Sequence, residues 1–399
     1  MSWILFAVGL TTLALGVNVL RPTRSLVGMV ISFLAEWLVA ELAHFTILFL
    51  GATVALLVAS GGLTRTAGRI GFAAAVVGFG CLVVESALAW RSRAAVTGAF
   101  TAAGLAPPDP DEGRRRRFLV PLWLGDHRVE RIGDLRYADG AGRRHLLDVY
   151  RPRGGVHDAP VLLQVHGGAW LVGSKRQQGR PLMNRMAAHG WVCVAINYRL
   201  APRATMPDQV VDVKAALAWV RAHIAEHGGD PDRIVLTGGS AGGHLAALTV
   251  LTENDPVYQP GFESADTSVL AVVPVYPPTD LLALFRFRTA RTDRWAGRLA
   301  AMIFGATPTE DPARYRRWSP IDLVASPTVP FLVVQGSADN LVPAAQTRAF
   351  VDRLRAVPGQ RVVYLEVPGA PHAFEVFHSL RAEAAVGAIH SFCDAVVAT

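Results

Sequence analysis

With 399 residues and 51% apolar side chains, the chain has material for at least one large core, and its apolar content is unevenly spread. The formal charge of +7 is almost all arginine, Lys175 and Lys214 being the only lysines. Without interleaved aromatics this basic excess gives no reason to expect a nucleic-acid partner. Cys81, Cys193 and Cys393 share no metal-ligand spacing and read as core packing, so no metal is expected.

Residues 1 to 90 carry only Arg21, Arg24, Glu36, Glu41, Arg65, Arg69 and Glu85 as charged groups. Residues 3 to 20 are an uncharged apolar stretch, enough for a bilayer core of about 30 Å at about 1.5 Å per helical residue. The stretch lacks the basic start of a signal peptide, and more apolar segments follow with no evident cleavage site. Residues 70 to 90 form a second clean span. Residues 25 to 60 are too long for one span and short for two, so three or four helices are expected to cross.

With three crossings, Arg21, Arg24, Arg91 and Arg93 share a side against Arg65 and Arg69, which puts the C-terminal part in the cytoplasm. Four crossings reverse that bias; the arginine run at 114 to 117 favours the cytoplasmic reading. Glu36, Glu41 and His44 are costly inside a membrane and are either functional or the mark of a helix end or interfacial turn, the second being the simpler reading. The expected layout is a transmembrane helical region over residues 1–93, a linker over 94–118 containing "APPDPDEGRRRR", and a catalytic domain over 119–399.

Beyond the linker, short β-branched runs alternate with longer amphipathic ones. "HLLDVYRP", "PVLLQVHGG", "WVCVAINYRL", "DRIVLTGGS", "VLAVVPVYP", "PFLVVQGSAD" and "RVVYLEVPG" read as strands. "DQVVDVKAALAWVRAHIAEHG" and "AAQTRAFVDRLRAV" read as helices. This alternation predicts an α/β fold with a mostly parallel sheet covered on both faces, whose ligands gather at the carboxyl ends of the strands. The amphipathic stretch "LLALFRFRTARTDRWAGRLAAMIFG" interrupts the rhythm and is expected to cap the pocket or lie against lipid.

"VLTGGSAGGH" places one hydroxyl, Ser240, between residues with almost no side chain. Gly238 to Gly242 fits G-x-S-x-G, in which a strained strand-to-helix turn exposes the serine oxygen. Glycine-rich turns also fit five residues by accident; the strand before and the helical "AGGHLAALTVL" after set this one apart. A serine hydroxyl needs a base to take its proton and a third group to orient that base. Asp339 in "VVQGSADNLVP" and His372 in "VPGAPHAFE" each follow a predicted strand, and the order Ser, Asp, His suits this fold. Glu375 is nearer to His372 in sequence but breaks that order. In "QVHGGAW", the N–H groups of Gly167, Gly168 and Ala169 follow a strand and, with that of Ala241, can face an oxyanion. His166 is expected to brace that loop.

Taken together, "HGGAW", "NYRLAP", "GGSAGG", "GSADNLVP" and "PHAF" resemble the hormone-sensitive-lipase-like branch of the α/β-hydrolases, especially bacterial carboxylesterases with a membrane-embedded N-terminus. The resemblance covers about residues 130 to 399. It implies an eight-stranded sheet and carboxylic-ester hydrolysis without a cofactor. It assigns the nucleophile to Ser240, the acid to Asp339, the base to His372, and the oxyanion donors to Gly168, Ala169 and Ala241, with Gly167 shaping the turn. Ala169 stands where the family often has a third glycine, and membrane spans replace the N-terminal helices from which soluble members build part of their cap.

The sequence therefore points to a membrane-anchored serine hydrolase working through an acyl-enzyme on a small-molecule or lipid ester, with membrane lipids as its surroundings. Acyl transfer or arylformamide cleavage by the same triad are alternatives, as is a non-catalytic ligand receptor. Acyl length, alcohol and oligomeric state are left open.

Overall fold

The computed structural model describes residues 1–23, 26–108, 120–122, 124–285 and 290–398. The arginine run at 114 to 117 and most of the proline-bearing stretch lie outside them.

Four apolar helices come first: α1 (Ser2–Leu20), α2 (Leu26–Glu41), α3 (Ala43–Ala59) and α4 (Thr66–Trp90). α1 and α4 run parallel, Gly9 against Gly71 and Gly16 against Gly78; a Cβ on Gly9 would fall 1.8 Å from the Gly71 carbonyl oxygen. Small residues permit this close approach of two helix backbones. α3 runs the opposite way. Its Val54 and Leu57 pack with Leu5 and Ala75 at one end of the bundle, and its Ile47 joins Val19 and Leu82 at the other.

α2 meets α3 at 91° and lies across that second end, where Val39 and Ala40 also pack. Gly28–Glu41 and Ala43–Ala59 therefore form one bent pair. Ser2–Leu20 and Thr66–Ala102 are each long and apolar enough to cross a membrane, and the bent pair makes a third candidate.

The expected linker starts later than residue 94. Ser92–Ala102 is a helix, α5, whose Val96 and Phe100 are buried beside the last strand and last helix. Its alanines favour a helix, and two apolar side chains four residues apart give it one face to bury.

The remainder is an eight-stranded sheet in the order β1-β2-β4-β3-β5-β6-β7-β8. The strands are β1 (Val129–Arg136), β2 (Leu146–Pro152), β3 (Ala159–Val165), β4 (Val192–Ile196), β5 (Gly229–Gly239), β6 (Ala271–Val275), β7 (Phe331–Gly336) and β8 (Val362–Val367). Only the pairings of β2 with β1 and β4 are antiparallel; the rest are parallel. This is the α/β-hydrolase sheet that the resemblance implies. β4, β6 and β7 are buried along their whole length, as strands covered on both faces must be.

One face is covered by α7 (Asp208–His223), α8 (Ala241–Leu251) and α10 (Ala344–Arg355), through Val213, Leu217, Leu245, Phe350 and Leu354. The other is covered by α6 (Arg180–Ala188), α11 (Leu380–Val397) and α5, through Met183, Met186, Ile389 and Phe392. The stretch expected to cap the pocket supplies α9 (Ala290–Phe304), whose Ile303 and Phe304 enter the first core; its residues 286 to 289 lie outside the described residues.

Candidate active site

β3 and β5 are adjacent and parallel, with Val165 opposite Gly238. The loop after β3 therefore rises beside the turn after β5, and β7 and β8 bring two more loops to the same sheet edge. A Cβ on Gly242 would sit 2.1 Å from the Val165 carbonyl oxygen, so the helix can start this close to β3 only with glycine there. The crowding drives Ser240 to φ 57°, ψ −123°, a conformation a non-glycine residue adopts only when its surroundings over-determine it. Its oxygen is left projecting from the turn.

Ser240 Oγ lies 2.8 Å from His372 Nε2, and His372 Nδ1 lies 2.7 Å from Asp339 Oδ2. Asp339 is fully buried and His372 nearly so. The other aspartate oxygen, Oδ1, accepts from the backbone N–H groups of Leu341 and Val342 at 2.9 and 2.8 Å, and Gln335 Nε2 donates to Oδ2 at 3.2 Å. With that carboxylate fixed, the proton of the neutral imidazole sits on Nδ1 and Nε2 is left to accept from the serine. Glu375 plays no part in this chain: its carboxyl, pushed up by burial, faces the Tyr276 hydroxyl.

The loop after β3 has φ 116° at Gly168, 52° at Ala169 and 60° at Trp170. Ala169 holds a left-handed conformation despite its Cβ, in the place where the family often has glycine. Among the described residues, the N–H groups of Gly168, Ala169 and Ala241 donate to no protein acceptor, and Ala241 opens α8, where the helix leaves its first N–H groups unpaired. Gly167 differs from the other three. Its N–H donates to Gln178 Oε1 at 2.5 Å, and Gln178 Nε2 donates to the Tyr276 hydroxyl at 2.9 Å. Gly167 is thus occupied and cannot also face an oxyanion, a correction to its expected place among the donors; it shapes the turn.

His166 is buried, stacked on Tyr198 at 4.4 Å, and donates from Nδ1 to the Gly167 carbonyl at 2.6 Å. Burial lowers its pKa to about 4, which keeps it neutral and suits it to bracing. Trp170 packs edge-on against His244 of α8 and Phe304 of α9, so the cap-region helix backs this loop.

The N-terminal bundle also reaches this edge, which no sequence signal announced. Phe33 of α2 stands edge-on to His372 with centroids 6.0 Å apart, and Trp37 Nε1 donates to the Ala373 carbonyl at 2.8 Å. Of the ionisable groups in that region, Glu41 ends α2 and pairs with Arg381, Glu36 is buried with neither oxygen bonded among the described residues, and His44 lies in α3. Among the described residues no His, Cys, Asp and Glu cluster is fit to hold a metal.

The BD-FAE family matches residues 147–354. The chain is 47% identical over 269 residues to the probable carboxylic ester hydrolase LipM of Mycobacterium tuberculosis, a match covering 67% of this chain and 62% of that protein. It is 42% identical over 294 residues to esterase LipQ of the same organism, covering 72% and 69%. Among solved structures, an inhibited esterase B from Lactobacillus rhamnosis superposes with a TM-score of 0.58 at 22% identity, over 78% of this chain and 97% of that one, a likeness of fold.

Proposed function

This chain belongs to the BD-FAE family and is an α/β-hydrolase of the carboxylesterase group, and on that premise we propose that it is a membrane-anchored serine esterase working through an acyl-enzyme. What supports the reading most is the 2.8 Å contact of Ser240 Oγ with His372 Nε2, backed by the buried Asp339. Ser240 Oγ attacks the ester carbonyl carbon while its proton passes to His372 Nε2, and Asp339 stabilises the imidazolium. The carbonyl oxygen becomes an oxyanion and takes hydrogen bonds from the N–H groups of Gly168, Ala169 and Ala241. Collapse breaks the bond to the alcohol, which leaves with the proton from His372. Water, deprotonated by the same imidazole, then attacks the acyl carbonyl carbon, and collapse breaks the bond to Ser240 Oγ, which takes back the proton from His372 as the acid is freed.

α1, α3 and α4 cross the bilayer in this reading. The arginines at 21, 24, 91 and 93 then outnumber those at 65 and 69 on the far side, which puts the hydrolase unit in the cytoplasm. The test is labelling by a fluorophosphonate probe and turnover of p-nitrophenyl esters by the full chain. Both are expected in the parent and absent in a folded Ser240→Ala variant; unchanged turnover in that variant would refute the reading.

A further inference from the structure

We propose that the ester presented to Ser240 is a bilayer-resident amphiphile, whose apolar tail stays among the lipid chains while its carbonyl reaches the triad past α2. This rests on the membrane esterase reading above and names the substrate class for the same site.

α2 is tied to both triad loops. Phe33 meets the imidazole of His372, Trp37 donates to the carbonyl of the next residue and stacks on Phe377 at 4.6 Å, and Asn340 Nδ2, next to Asp339, donates to the carbonyls of Thr23 and Met29 at 3.2 and 3.3 Å. The side of the helix adjoining these contacts is apolar and open. Val30, Ile31, Leu34 and Leu38 follow one stripe at three- and four-residue steps, and Ile31 is 71% exposed.

The orientation of that stripe follows from the bundle. α3 runs along α1 and α4, and α2 turns 91° from it at the end where the hydrolase unit sits. A bilayer that holds α1 and α4 therefore has α2 lying in its surface plane, stripe toward the acyl chains, as an interfacial helix does. The outer face continues onto α3, where Leu48 and Phe49 are exposed by 69 and 73%. Exposed apolar side chains thus occur both on the helices proposed to span the bilayer and on the helix that touches the catalytic base.

A short, water-soluble ester gains nothing from such an approach. A long-tailed ester gains a great deal, because every methylene drawn into water opposes its transfer to an aqueous site. A tail left in the bilayer with its carbonyl at the interface avoids that transfer, and α2 is the element it must pass.

The test uses the full chain in vesicles of ether-linked phosphatidylcholine, which offers no ester of its own. The probes are 4-methylumbelliferyl acetate, supplied in water, and 4-methylumbelliferyl oleate, placed either in the same vesicles as the protein or in separate ones. We expect the acetate to be cleaved in both arrangements, and the oleate at least about tenfold faster when it shares the bilayer with the protein. Oleate cleaved equally from both vesicle populations, or acetate cleaved and shared-bilayer oleate not, would overturn the proposal while leaving the esterase reading standing. Silence toward both esters would remove the esterase reading and the proposal with it. In a second arm, Ile31→Glu puts a charge into the lipid-facing stripe and is expected to lower the ratio of oleate to acetate turnover several-fold; an unchanged ratio would count against lipid access along α2.

Discussion

Arg381, in the first turn of α11, reaches into the helical bundle and places Nη2 2.5 Å from Glu85 Oε1 and Nη1 3.3 Å from Glu41 Oε1. All three side chains are buried, and Ser379 adds a hydrogen bond to Glu41. One guanidinium therefore joins α2 and α4 to the hydrolase unit. A buried carboxylate left without its partner cannot regain solvation, so Arg381→Met is expected to cost about 3–5 kcal/mol. Adding Glu41→Gln and Glu85→Gln to that variant should recover part of the loss. Urea unfolding of the detergent-solubilised chain, followed by tryptophan fluorescence, measures it; an unshifted midpoint in Arg381→Met would mean that packing alone joins the two parts.

Asp339→Asn separates geometry from proton placement. The amide oxygen can still accept from Leu341 and Val342, so the side chain keeps its position. Its NH2 then faces His372 Nδ1, which must become an acceptor, and the proton moves to Nε2, where it blocks transfer from Ser240. We expect kcat to fall by roughly four orders of magnitude with KM little changed. A loss of less than tenfold in steady-state hydrolysis of a p-nitrophenyl ester would assign the orienting role to another group.

Gln178 ties down the loop proposed to hold the oxyanion without touching the proposed triad. Its carboxamide holds the Gly167 N–H on one side and the Tyr276 hydroxyl on the other. Gln178→Ala frees Gly167 and lets the neighbouring donors drift, so kcat should drop about tenfold, less than the loss expected from deleting a donor outright. KM should hold, because the donors act mainly on charge that develops in the transition state. Tyr276→Phe, which removes only the far anchor, should do less. Equal kcat for the parent and Gln178→Ala would show that the loop holds itself.

The groups proposed to react could be picked out because each signal was local. Ser240, Asp339 and His372 each follow a short β-branched run that reads as a strand, and "AGGHLAALTVL" became the helix Ala241–Leu251 residue for residue. β1 escaped notice because it is an edge strand: Glu130, Arg131 and Asp134 break its apolar alternation, and half its residues face water. The bend after Glu41 has no proline or glycine to announce it. Its purpose is met 340 residues away, where Glu41 pairs with Arg381. Phe33 and Trp37 read as ordinary span residues, since no periodicity tells that a helix will turn across the bundle and lean on a loop so far along the chain. Gln178 sits in "SKRQQG", a polar loop whose two glutamines look alike until the fold chooses one.

Acid should weaken the protein at the candidate site before it attacks elsewhere in the core. His166 braces the oxyanion loop, and His244, four residues after Ser240, donates from Nε2 to the Trp318 carbonyl at 2.7 Å. Burial lowers both pKa values from 6.5 to about 4. Between pH 6.5 and 4 the unfolded chain therefore binds up to two protons that the folded one excludes, so stability falls as the pH drops through that window. Below about 4 both states carry those protons and this contribution levels off. A plot of unfolding free energy against pH should accordingly show a slope approaching two protons from these groups in the middle of the window. His244→Gln keeps an N–H for Trp318 but cannot titrate, and should reduce the slope by about one proton. If the variant's slope matches that of the parent, His244 is protonated in the folded state and the neutral bracing assigned to it is wrong.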